Sequence, residues 1–367
     1  MQKLCFHQKV NLAVLLSVVL FCGVEAQAQA ASAGDAGEPA TNGAPKVVGN
    51  ISSETLAPKI TEDWSTPSLE GSDLRLGYAL VGEVDKSGSG YTREFTRVQW
   101  RSGDAIDLYI VKPDGVEKPP VILYLYSYPF ELDRFRDDGF CRFLTSHGFA
   151  AVGFASALTA GRYHAPRPMK QWFVSELREA LATSAHDVQM ILNYLATRSD
   201  VDMDRVGMFG DGSGASIAIL AAAVDPRIKT LDLLDPWGDW PDWVAKSTLI
   251  PENERPGFMK PEWLAGVAPL DPIEWLPKLK QQKVRIQLVS TVTVTPEEAK
   301  RKLEAAAPAN AEILHYADTQ AFKNTMASGI GFDWIKEQVQ PGAIKRPQAN
   351  GALESPNPTV KPQDSQP

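Results

Sequence analysis

Two nearly continuous apolar runs, Val121-Ile122-Leu123-Tyr124-Leu125-Tyr126 and Phe149-Ala150-Ala151-Val152-Gly153-Phe154, restrict what this chain can fold into more than any other feature. A strand with one face in water alternates apolar and polar residues. A run that is apolar at every position must be covered on both faces, which is the environment of a central parallel strand. Val206 to Phe209, Ile228 to Leu234, Val284 to Val289 and Ala311 to Tyr316 are further runs of this kind. Ahead of them, Tyr91 to Trp100 and Ala105 to Val111 read as antiparallel strands, the second alternating as a half-exposed strand does. Helical periodicity fills the gaps. The clearest case follows Ser175 as N-cap and puts Leu177, Leu181, Val188, Ile191, Leu192 and Leu195 on one face before ending near Arg198. Further helices are expected at 213 to 224, 272 to 281, 296 to 307 and 327 to 339. The expected class is α/β, a mostly parallel sheet of about eight strands with helices on both faces.

The two ends read differently. Lys3 and Lys9 precede an apolar run from Leu12 to Phe21, and Ala26-Gln27-Ala28-Gln29-Ala30 follows, so residues 1–30 have the form of a secretory signal cleaved after Ala28 or Ala30. The run is shorter than the roughly 20 residues that span a bilayer, and Phe21 is too bulky to precede a lipidated Cys22. An exported chain, periplasmic or extracellular and without a transmembrane anchor, is expected. Residues 31–65 read as a flexible linker and 341–367, with six prolines, as a disordered tail, leaving 66–340 as one domain. After cleavage Cys141 is the one remaining cysteine, which excludes an intramolecular disulfide, and no cysteine-histidine cluster suggests a metal or other cofactor. A net charge of -8 without a Lys/Arg stripe argues against a nucleic-acid partner.

The segment Val206-Gly207-Met208-Phe209-Gly210-Asp211-Gly212-Ser213-Gly214-Ala215 carries the chemical information. It resembles the α/β-hydrolase superfamily, in particular the branch of dienelactone hydrolases, acetyl xylan esterases and prolyl-oligopeptidase-like peptidases. The resemblance extends over roughly residues 75 to 338 and includes the late run Pro269 to Leu279. It implies a strand running into a G-x-S-x-G elbow, with the nucleophile on a sharp turn before a helix. The elbow positions here are Gly210-Asp211-Gly212-Ser213-Gly214, so the nucleophile position holds Gly212. The resemblance places the histidine at Gln320, within Tyr316 to Phe322, and the acid at Thr293, within Ser290 to Pro296. Glycine cannot form an acyl-enzyme, and glutamine cannot shuttle a proton near neutral pH. Two shifted registers stay open, with Ser213 or Ser216 as nucleophile.

Backbone donors survive such replacements. The resemblance implies an oxyanion site from the Ser213 N–H and the turn Tyr126-Ser127-Tyr128-Pro129. The loop Gly161 to Lys170 brings Arg162, His164 and Arg167 toward the carboxyl edge of the sheet, where an anion could bind and His164 could serve as an unconventional base. An insertion over about 236–270 reads as a lid. Trp237, Trp240, Trp243, Trp263 and Trp275 lie in it or just after it, either as a platform for a sugar or aromatic ligand or as glue to the core. Asp235 and Asp239 are candidates for a displaced acid. Three functions follow as expectations: a catalytically inactive binding or accessory module for a small-molecule or glycan ligand, a serine esterase or peptidase-like hydrolase using Ser213, or an envelope-associated scaffold. The sequence leaves the oligomeric state open.

Overall fold

The computed structural model describes residues 61–344, apart from 78, 86–89, 160–161, 163–172 and 328–329. Residues 1–60 and 345–367 lie outside the described residues, as do His164 and Arg167. Residues 61–65 and 341–344, expected to belong to a flexible linker and a disordered tail, are instead bonded to the domain, Glu62 through Arg101 and His186, and Gly342 and Ile344 through Glu337.

The strands are β1 (Ala79–Asp85), β2 (Tyr91–Arg101), β3 (Asp104–Pro113), β4 (Pro120–Leu125), β5 (Ala150–Phe154), β6 (Asp202–Asp211), β7 (Ile228–Leu234), β8 (Lys283–Val289) and β9 (Glu312–Tyr316). They form one sheet in the order β1-β2-β3-β5-β4-β6-β7-β8-β9, antiparallel from β1 to β5 and parallel from β5 to β9. The sheet has nine strands rather than about eight. The extra one, β1, is an exposed edge strand interrupted by a register shift at Gly82, so it carries no buried apolar signature to read. β4 and β5 are buried at every position, as their uninterrupted apolar runs require.

The helices used below are α1 (Asp138–Leu144), α2 (Leu177–Ala196), α3 (Ser213–Val224), α4 (Trp240–Lys246), α5 (Pro261–Val267), α6 (Glu297–Ala306), α7 (Thr319–Ala327) and α8 (Ile330–Val339). One hydrophobic cluster joins the sheet to α2, α3, α4 and α6, and a second joins its opposite face to α1, α7 and α8. Helix α2 is buried nearly all round, and its N-cap is Glu176 without a side-chain cap rather than Ser175. The segment 272 to 281 is not one helix: Pro272–Trp275 makes a single turn and Leu276–Lys278 a 3-10 turn, because prolines at 272 and 277 interrupt it. Where one helix was expected at 327 to 339, two follow β9.

This order positions the site. The chain leaves β4 toward β5 on one side and leaves β6 toward β7 on the other, so the carboxyl ends of β4 and β6 flank the point where the direction of winding reverses. In open α/β sheets ligands bind at that crevice. Among the described residues no helix is long and apolar enough to cross a membrane.

Candidate functional site

β6 runs straight into α3 through one residue, Gly212, with φ 55° and ψ -114°. This positive-φ conformation is one that non-glycine residues enter at a cost of about 1 to 3 kcal/mol. The glycines on either side have a packing reason. A Cβ on Gly210 would stand 2.4 Å from Ala215 Cα, and one on Gly214 would stand 2.0 Å from the Leu125 carbonyl oxygen, so β4, β6 and α3 approach too closely for side chains there. The turn therefore falls at Gly212, one residue before Ser213.

The space above Gly212 is filled. A Cβ added there would lie 2.5 Å from Ser127 Oγ, 3.1 Å from Ser127 Cβ and 3.1 Å from Trp237 Nε1. Ser127 and Tyr128, both half-buried, come from the turn after β4, which contains a cis Tyr128-Pro129 peptide. Ser213 is fully buried and its Oγ accepts the Tyr128 N–H at 2.9 Å. That hydroxyl thus occupies one of the backbone donors expected to face a ligand. Ser216, also buried, donates to the Trp237 carbonyl at 2.8 Å and ties the first turn of α3 to the segment after β7.

The three tryptophans nearest the turn are core residues. Trp237 is 2% exposed and Trp240 and Trp243 are 0% exposed, with Trp237 and Trp243 rings 5.0 Å apart and Trp240 edge-on to Trp243. An exposed platform of Trp237 and Trp240 is therefore corrected to glue, because the insertion buries its own aromatic side chains instead of presenting them. Arg162 is corrected in the same way. It is 4% exposed, and both oxygens of Asp104 accept from its Nε and Nη2, while Asp187 Oδ2 accepts from Nη1 at 2.7 Å. Its charge is turned inward to carboxylates and not toward a ligand.

The other two positions given by the resemblance are at the surface. Thr293 is exposed, and its Oγ1 lies 3.3 Å from Thr248 Oγ1. Gln320 is exposed in the first turn of α7 and donates to Asn324 Oδ1 at 2.9 Å. His315 is exposed and 3.4 Å from Glu304. His186 is fully buried between Glu62 Oε1 and the Thr66 carbonyl.

Two carboxyl groups beside the turn were not singled out together from the sequence. Asp211, the residue before Gly212, is pushed up to about 6 by burial, against the pull of the Arg134 guanidinium. Asp235, with φ 41°, is pushed up to about 7 by burial, which outweighs the Val289 N–H and Lys300, and Asp211 adds to the rise. The Asp235 Oδ1 accepts the Val289 N–H at 3.0 Å and lies 3.7 Å from Lys300 Nζ, while Lys300 also donates to the Val289 and Val292 carbonyls. Asp235 thus fastens the loop after β8. Asp239 is held by Lys302, so neither of the two aspartates suggested as a displaced acid is unengaged. Arg134 gave no sequence signal, but it stacks 4.5 Å from the Tyr126 ring centroid next to Asp211. Among the described residues no group of three or more His, Cys, Asp or Glu side chains is placed to hold a metal ion.

No protein-family model and no curated protein matches this chain. Solved structures do. An acetyl xylan esterase from Paenibacillus sp. R4 superposes with a TM-score of 0.52 at 18% identity, over 74% of this chain and 96% of that one. Acetyl xylan esterase 1 from Thermoanaerobacterium sp. JW/SL YS485 gives a TM-score of 0.51 at 15% identity, over 68% of this chain and 83% of that one. At such identities the likeness is one of architecture, and it agrees with the strand order and the β6-Gly212-α3 turn: the chain has the α/β-hydrolase fold.

Proposed function

We propose that this chain is an exported α/β-hydrolase-fold protein that performs no serine hydrolysis and acts as a binding or accessory module. The observation that carries the reading is the crowding at Gly212, where Ser127 and Trp237 already stand in the volume a nucleophile side chain needs. Loss of a nucleophilic serine lowers turnover by about a million-fold in a serine hydrolase. Two further features support it. The Ser213 hydroxyl is buried on the Tyr128 N–H, so a shifted nucleophile would have to break that bond. Gln320 and Thr293 are surface residues hydrogen-bonded to neighbours of their own. A ligand with a carbonyl or anionic group would be met by the amino end of α3, which starts at Ser213. Export rests on the basic-apolar-small pattern of residues 1–30.

The test is to incubate the mature protein with a fluorophosphonate probe and a small ester, beside Ser213→Ala and Ser127→Ala variants. No labelling and no turnover are expected. Labelling that disappears in either variant would identify the nucleophile and overturn the reading. Mass spectrometry of the secreted protein is expected to find the chain starting at Gln29 or Ala31.

A further inference from the structure

With the insertion's central tryptophans buried, a pair of half-buried aromatic rings on the antiparallel flank of the sheet lines a cleft of its own. A cleft of about 250 Å³ there is lined by Glu83, Asp85, Arg93, Phe95, Tyr109 and Arg136. Its floor follows from register. Glu83 on β1 is paired with Phe95 on β2, and Phe95 is paired with Tyr109 on β3, so the three side chains form one row across three strands. Both rings are half-buried, 5.1 Å apart and tilted by 49°.

The rim is divided between groups with and without spare bonding capacity. Arg93 is committed to Asp85 at 2.9 Å, to Asp138 at 3.1 Å and to the carbonyls of Phe135 and Arg136. Glu83 is exposed and makes no hydrogen bond or ion pair among the described residues. Arg136 is exposed beside the Tyr109 hydroxyl, with guanidinium donors to spare. A ligand seated on this floor meets an apolar surface below, an acceptor at Glu83 and a donor at Arg136. The two carboxylates and two guanidinium groups cancel in charge, so nothing draws an ion in.

We infer that this cleft binds an uncharged saccharide ring. The C–H face of a pyranose suits tilted aromatic rings, and its hydroxyls both donate and accept, as Glu83 and Arg136 together demand. The volume falls just below the roughly 300 to 1,000 Å³ of pockets for drug-sized ligands, which fits a small ring system and not a folded partner. The site lies on β1 to β3 while the elbow follows β6, so this inference stands or falls independently of the function proposed above.

The experiment titrates the full mature chain with cellotetraose, maltotetraose and chitotetraose by saturation-transfer NMR and calorimetry, with indole as a flat aromatic control. Saturable binding of at least one saccharide is expected, weakened about tenfold in Glu83→Gln and in Arg136→Met, since each change removes a charge-assisted hydrogen bond. Both side chains are exposed, so the variants should melt like the parent. No saturable binding of any saccharide, binding of indole alone, or a loss confined to Ser127→Ala would each overturn the assignment.

Discussion

Two buried corners of the molecule treat polar groups in opposite ways. At the first, under the segment that ends at Arg162, charge is dense and fully engaged. Asp187 accepts from Arg101, from Arg162 at 2.7 Å and from Trp100 Nε1 at 2.8 Å, Asp104 takes the other side of Arg162, and Glu62 bridges Arg101 and His186. At the second, around Gly212, the polar groups are fewer and less satisfied. The Tyr124 hydroxyl and the Trp240 and Trp243 indole N–H groups are buried without a partner among the described residues, and Asp211 is raised toward neutrality. Orphaned polar groups are uncommon in folded proteins, and each calls for a cause. The contrast separates the frame from the site. Residues 61 to 104, α2 and the end of β5 are locked together by ion pairs, while the elbow is held by backbone fit and small side chains.

The largest effect is expected where the frame is cut. Asp187→Ala leaves Arg101 and Arg162 facing each other in a buried space with one carboxylate fewer. Removing one member of such a network costs about 3 to 5 kcal/mol. Denaturant unfolding should show that loss, and a variant as stable as the parent would mean the network is ornamental. Acid should act here too. Burial alone would raise Asp187, but Arg101 and Arg162 more than reverse this and hold it at about 2, below its ordinary 3.8. Stability from this group is present above about pH 4 and is lost as the pH falls through about 2.

A smaller effect is expected at the elbow. Gly212→Ser restores the residue type of a nucleophile but forces a side chain into positive φ against Ser127 and Trp237. A destabilisation of about 1 to 3 kcal/mol is expected, with no gain of fluorophosphonate labelling. Pairing it with Ser127→Gly should recover part of the loss, because the nearest obstacle is then gone. Labelling of the single variant would show that the elbow kept more of its machinery than its packing indicates.

How far these corners could be read beforehand follows from what each depends on. The central parallel strands were legible because burial on both faces leaves an apolar run, whereas β9, expected from Ala311 to Tyr316 to be covered on both faces, is an edge strand with only Tyr316 buried. Gly210 and Gly214 were legible because backbone contacts there forbid side chains. β1 was not, since an exposed edge strand has no burial pattern to betray it. The destination of Arg162 was hidden for another reason. Its partners, Asp104 and Asp187, are 58 and 25 residues away, and only the folded topology brings a hairpin, a helix and a loop to one point. Trp237, Trp240 and Trp243 were recognised as a group, but composition cannot tell a platform from a plug.

The finest distinction between the corners is the sign of their pH response. Burial raises Asp211 from 3.8 to about 6, against the partial relief from Arg134. A raised acid is stabilising in its neutral form, so its contribution is complete below about pH 4 and is lost as the pH climbs through about 6, the reverse of Asp187. The full shift would amount to about 3 kcal/mol, and partial exposure of Asp211 reduces the expected figure to about 1 kcal/mol. Asp211→Asn removes the titrating proton while keeping the shape. Its unfolding free energy should match the parent near pH 4 and exceed it by about 1 kcal/mol at pH 7. An equal offset at both pH values would assign the effect to packing and leave the elbow without a charge cost to set against the paired charges around Arg162.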